Sequence, residues 1–197
     1  KVADEVYKRT GVRIDIIDGA EEAGIIASTD ISSLIQKDKD YLYIDVGGGS
    51  TEFTVFSKGK VKKSRSFPIG TVRLLDNKVS NKTWEEVEHW IKKHTKDCEH
   101  IEAIGSGGNI NKIHKNSNSR EGEPLSYQYL TDYYNYVSGF TYDERIRLLG
   151  FNPDRADVIL YALTVFINAM KWSGAEIVHV PRIGLADGIV RSIYNEE

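Results

Sequence analysis

The pattern of hydrophobic positions shows two short apolar runs, residues 41–46 (YLYIDV) and 51–57 (TEFTVFS), whose β-branched and aromatic content predicts strands. Gly47, Gly48, Gly49 and Ser50 join them, and Lys58-Gly59-Lys60 turns the chain into a third strand ending near Pro68, so an antiparallel meander is expected. Helical spacing governs most of the rest. Residues 2–9 read as a helix stopped at Gly11, 13–17 as a strand, and 20–29 as a helix with Ile25 and Ile26 inward and Glu21 and Glu22 in its first turn. Thr83 is expected to cap a helix running to residue 96, with Trp84, Val87, Trp90 and Ile91 on one face. A strand at 101–104 then leads through Gly105, Ser106, Gly107 and Gly108 into a helix ending near His114. A polar loop at 115–124, a tyrosine-rich helix over 125–149, a core helix opened by Pro153-Asp154, a strand at 176–180 and a closing helix at 184–194 complete the α/β pattern.

Composition narrows what this fold can do. With 197 residues, 40% of them hydrophobic and 28% charged, the chain reads as one globular domain. Its net charge of −3 and pI near 6.0 supply no bulk attraction to nucleic acid or anionic membrane, so any bound anion has to be held locally. The longest apolar block, residues 158–172, is shorter than the roughly 20 residues of a membrane span. A lone Cys98 excludes an internal disulfide, suits a reducing cytoplasmic compartment, and reads as a structural thiol. No zinc site is expected from the five histidines. No signal peptide is read at the start, and Lys1 is not an initiator methionine, so the chain is expected to be part of a longer protein.

The glycine run between the first two strands carries the candidate chemistry. GGGST lacks the Gly-Lys-Ser/Thr ending of a P-loop and is followed by a strand, which excludes both that motif and the dinucleotide fingerprint. A hairpin needs only one or two residues at positive φ, so the surplus glycine predicts close approach by a ligand. Backbone amides of Gly47, Gly48, Gly49, Ser50 and Thr51, with the Ser50 and Thr51 hydroxyls, would cradle phosphate oxygens. Asp45 and Glu52 flank that cradle, and carboxylates beside a phosphate call for a cation such as Mg²⁺. On the residues alone, a phosphate-plus-metal site and a glycine-rich bulge with two solvated acids both stay open.

DVGGGSTE, together with upstream GAEEAG, downstream AIGSGGNINKI, and RADVI at Arg155, resembles the exopolyphosphatase and guanosine pentaphosphate phosphohydrolase family of the actin, sugar-kinase and heat-shock ATPase superfamily. The similarity runs over essentially the whole chain. It implies a ribonuclease-H-like lobe, with a mixed five-stranded sheet, three meander strands and helices on both faces. It further implies metal-dependent hydrolysis of terminal phosphoanhydrides in inorganic polyphosphate or guanosine penta- or tetraphosphate. By the same resemblance Glu22 is the catalytic carboxylate, Asp45 and Glu52 hold the metal, and Gly105, Ser106, Gly107 and Gly108 form a second phosphate loop. Gly24 stands where the family commonly has an arginine, which removes one expected phosphate clamp. The resemblance also implies a first lobe carrying a related loop upstream of Lys1, so the chain is expected to correspond to the second lobe, offering half a site and inactive alone.

Beyond the phosphorylated substrate, the expected partners are that first lobe and a second copy of the chain in a homodimer; neither nucleic acid nor membrane is expected. Other classes remain open, namely a non-catalytic module sensing a polyphosphorylated ligand, and a kinase or ATPase lobe of the same superfamily. The lysines of residues 58–65 read as protection of a sheet edge, and the tyrosines of 127–142 as core.

Overall fold

The structure is a computed structural model and describes residues 2–15 and 35–181. Its elements are α1 (Val2–Thr10), β1 (Asp40–Val46), β2 (Thr51–Ser57), β3 (Lys60–Phe67), α2 (Thr71–Leu75), α3 (Asn81–Thr95), β4 (Ile101–Ser106), α4 (Gly108–Asn116), β5 (Leu125–Ser126), α5 (Tyr127–Ser138), α6 (Tyr142–Arg147), α7 (Pro153–Ala156), α8 (Ile159–Ser173) and β6 (Ile177–His179). The strands form one mixed sheet in the order β3-β2-β1-β4-β6-β5. Strands β1, β2 and β3 are the antiparallel meander, β4 runs parallel to β1, and β6 parallel to β4. The expected α/β class is therefore observed, with six strands where five were expected. The sixth, β5, is two residues long on the far edge, too short to carry a period of its own.

Strand periodicity divides the sheet into two faces. Leu42, Ile44 and Val46 of β1 join Phe53, Val55, Ile101, Ala103 and Val178 in the main core, beneath α3, α4, α5 and α8. Helix α8 anchors it, burying Ala162, Leu163, Phe166, Ala169 and Met170 at helical spacing. Each large aliphatic side chain buried this way contributes about 1.5–3 kcal/mol. On the opposite face, Tyr41, Tyr43, Phe56 and Ile104 form a second buried cluster, with Ile35 beside it. That second face carries the candidate site at its upper end.

Several boundaries differ from the expected ones. Residues 13–15 have no regular structure, and the remainder of the expected strand, the helix at 20–29 and the closing helix lie outside the described residues, with Glu22 and Gly24. The single helix expected over 125–149 is broken between α5 and α6. A reciprocal cap explains the break: the Glu144 amide donates to the Thr141 hydroxyl while the Thr141 amide donates to the Glu144 carboxylate. Helix α3 starts two residues before Thr83, because the Ser80 hydroxyl accepts the Thr83 amide at 3.2 Å. Pro153 opens only the short α7, and the core helix begins separately at Ile159. Helix α2 was not expected at all.

Candidate functional site

Cross-strand register assembles the site. Ser66, Glu52, Asp45 and Ser106 stand directly opposite one another across β3, β2, β1 and β4, a single polar row on the second face. Glu52 Oε1 accepts hydrogen bonds from Ser50 (2.7 Å) and Ser66 (2.8 Å). Asp45 accepts from Ser106 and, through Oδ2, from the Tyr43 hydroxyl at 3.2 Å. Burial pushes the Asp45 carboxyl above its ordinary pKa; the Ser106 bond opposes that rise, the neighbouring Glu52 charge adds to it, and the Tyr43 bond opposes it again.

A second carboxylate on the same face makes the contrast clear. Glu102, near the other end of β4, is also pushed up by burial, but bonds from Lys39 (2.6 Å) and His179 (2.8 Å) outweigh that and hold its pKa low. Glu102 is a neutralised structural acid. Asp45 and Glu52 are neighbouring acids with no ion pair to a cationic side chain among the described residues. Among those residues no group of three or more His, Cys, Asp or Glu side chains is placed to hold a metal unaided. Two carboxylates ringed by hydroxyls, with the remaining positions left for water and phosphate, fit the hard, oxygen-seeking Mg²⁺ ion.

Above this row, the glycine hairpin is oriented from behind by α2. The Thr71 amide donates to the Gly47 carbonyl (2.9 Å), the Val72 and Arg73 amides to the Gly48 carbonyl (2.9 and 3.3 Å), and Arg73 Nε to the Gly49 carbonyl (2.7 Å). Since C=O and N–H point oppositely in a trans peptide, fastening these carbonyls to one helix turns the amides of Gly48, Gly49 and Ser50 to the other side. No hydrogen bond among the described residues engages those amides. The result is a row of unpaired donors, the arrangement that binds anions.

The glycines serve approach rather than turning. None of Gly47, Gly48 and Gly49 has a positive φ, contrary to the hairpin argument from sequence. A Cβ at Gly70 would overlap the backbone of Gly48 and Gly49, so this unexpected glycine lets α2 reach the hairpin. At Gly49 a Cβ would meet nothing within 4 Å, so neither packing nor backbone strain demands glycine there. Bare backbone facing open space is what a close-approaching ligand requires.

Not every expected donor faces that side. The Gly47 amide closes the hairpin on the Ser50 carbonyl at 3.0 Å, and the buried Thr51 hydroxyl donates its one proton to the Ile69 carbonyl at 2.9 Å. Both are removed from the cradle, as is the Ser50 hydroxyl, which donates to Glu52, so the free donors narrow to the backbone amides of Gly48, Gly49 and Ser50. In the second loop, Gly105 lies in the core, where a Cβ would press on Phe166, Ile110 and Val178, and the Ser106 hydroxyl serves Asp45. Gly107 adopts φ 105°, a conformation only glycine enters readily, and it is packed against the Val46 carbonyl and Asp45. That contact brings the exposed start of α4, at Gly108, beside the first loop.

Sequence reasoning missed Arg155 as a site residue, although its motif was visible. A Cβ at Gly108 would overlap the Arg155 guanidinium, which therefore lies over the second loop, with no carboxylate paired to it among the described residues. Asn109 Oδ1 is buried there without a donor. Arg73 and Gly70 were missed too, because a five-residue helix has no periodicity to read. By contrast, Cys98 behaves as expected: burial pushes its thiol up to about 11, far from a nucleophile's range.

A family model described as the Ppx/GppA phosphatase family matches residues 1–197. The chain belongs to the Ppx/GppA phosphatase family. A bifunctional 3-dehydroquinate synthase/phosphatase of Fusobacterium nucleatum is 27% identical over 196 residues, an alignment covering 89% of this chain and 30% of that protein. The chain thus spans less than a third of that curated relative. An exopolyphosphatase structure from Cytophaga hutchinsonii superposes with a TM-score of 0.79 at 20% identity, covering 99% of this chain and 70% of its own. The Aquifex aeolicus Ppx/GppA family member gives 0.72 at 21%, covering 98% and 68%. At these identities the likeness shows that this Ppx/GppA chain shares their fold.

Proposed function

We propose that this chain is the phosphate-gripping lobe of a metal-dependent hydrolase that removes terminal phosphates from inorganic polyphosphate or guanosine penta- or tetraphosphate. The observation that carries the reading is the row of unpaired amides at Gly48, Gly49 and Ser50, fixed by α2 and set above two adjacent acids. Family membership and the fold shared with an exopolyphosphatase support the chemistry.

The residues divide the work by charge. The three amides hold the oxygens of the terminal phosphate, and Arg155, reaching from α7 over the second loop, adds positive charge. Asp45 and Glu52 would hold Mg²⁺, which when bound neutralises phosphate charge. Glu22, the second acid of GAEEAG, orients the attacking water and accepts its proton as the phosphoanhydride oxygen leaves in line. The site is completed by a first lobe across the cleft; the chain spans 70% and 68% of the two solved structures named above.

Phosphate release by the natural full-length protein, with Mg²⁺ and either substrate, tests this. Release that drops about a hundredfold or more in Glu22→Gln is the expected result. Binding of both substrates without release from either would instead establish a sensing module, a role that Gly24 in the usual arginine's place would accommodate. Transfer to an added acceptor would identify a kinase.

A further inference from the structure

The glycine hairpin's carbonyls are not all held alike. Those of Gly47 and Gly48 accept backbone amides of α2, whereas that of Gly49 is held by a side chain, Arg73 Nε at 2.7 Å. Arg73 is exposed, and no carboxylate pairs with it among the described residues. Asp76, the acid nearest in sequence, is engaged by Lys78 at 2.8 Å instead. Ordering a long arginine without an ion pair costs rotamer entropy, and the contact that offsets it is a short charge-assisted bond to one peptide.

That peptide is the one whose other end is the Ser50 amide. We infer that Arg73 is a positioning residue for the anion cradle: its guanidinium fixes the Gly49–Ser50 peptide plane and polarises it. A cation on the carbonyl draws electron density along the peptide, so the opposite N–H becomes a stronger donor towards a phosphate oxygen. The charge acts from behind the loop. It therefore strengthens the grip on any phosphate seated there, equally for a single phosphate and for the end of a chain. Neighbouring amides depend on it less, because α2 main-chain donors already hold their carbonyls. The inference rests on the proposed phosphate site but concerns a residue outside it.

The test uses the full chain labelled with ¹⁵N-glycine and ¹⁵N-serine, as wild type, Arg73→Ala and Arg73→Lys, titrated with inorganic phosphate and with tripolyphosphate. Without anion, Arg73→Ala is expected to shift the Ser50 amide resonance while leaving Gly48 and Gly49 near their positions. With either anion, its affinity falls about tenfold, equivalent to about 1.4 kcal/mol, and Arg73→Lys recovers part of the loss. An unmoved Ser50 resonance with unchanged affinity overturns the inference. So does a loss confined to tripolyphosphate, which would mean that Arg73 touches the chain directly. If wild-type amides ignore both anions, the phosphate site itself fails, and the anion-free spectra still decide whether Arg73 sets this peptide.

Discussion

At the scale of single residues, Glu102 and Asp45 on the sheet's second face predict opposite mutational signs. Glu102 has a lowered pKa, so its contribution is present above the ordinary carboxylate range and is lost as pH falls through the folded-state value. Glu102→Gln is expected to lower Tm at pH 7 by about 2–4 °C, on the order of 1 kcal/mol. Asp45 has a raised pKa, so the folded state binds the proton more tightly and stability declines as pH rises from the ordinary carboxylate value through the raised one. Asp45→Asn should therefore raise Tm at neutral pH without metal, and abolish the stabilisation that Mg²⁺ gives the wild type. Thermal melts across pH, with and without Mg²⁺, check both; a destabilised Asp45→Asn would mean that Asp45 is structural. The glycines divide similarly. Gly49→Ala should leave stability within about 0.5 kcal/mol and weaken phosphate binding, while Gly70→Ala should destabilise the fold by about 1–3 kcal/mol, measured by denaturant unfolding and phosphate titration.

At the scale of elements, the sequence made some features legible and hid others for physical reasons. Residues of the β1 and β2 runs could be read because each is a short stretch rich in apolar, β-branched and aromatic side chains, bounded by the glycines that the two acids flank. Partners could not. Ser66 and Ser106 join the row only through register, and β3 pairs through an irregularity between Val55 and Phe56 that shifts which residues face one another. Helix α2 was hidden because it exists through its contacts with the hairpin rather than through an apolar stripe. The α5–α6 break, in contrast, was readable: Thr141 followed by Glu144 is a helix-start signal, outweighed in reading by the continuous run of tyrosines. Thr51→Val would test how much β2 depends on the segment entering α2. Losing the bond to the Ile69 carbonyl is expected to cost about 1 kcal/mol in chemical denaturation, and an unchanged midpoint would show that the hairpin is held by other contacts.

At the scale of the whole molecule, charge is arranged rather than accumulated. In the proposed reading an acidic chain acquires an anion site by aiming backbone donors at one end of its sheet, while Lys60, Lys62 and Lys63 lie on β3, the edge strand, a placement that discourages pairing with other chains. These two features predict different places for a polyanion. Phosphate is expected to seat at the hairpin, and a crystal of the full chain soaked with phosphate and Mg²⁺ decides the matter. The predicted result is an anion within about 3 Å of the Gly48, Gly49 and Ser50 nitrogens, with Asp45 and Glu52 facing the cation. An anion held only by the lysines of β3, with those amides bare, would contradict it.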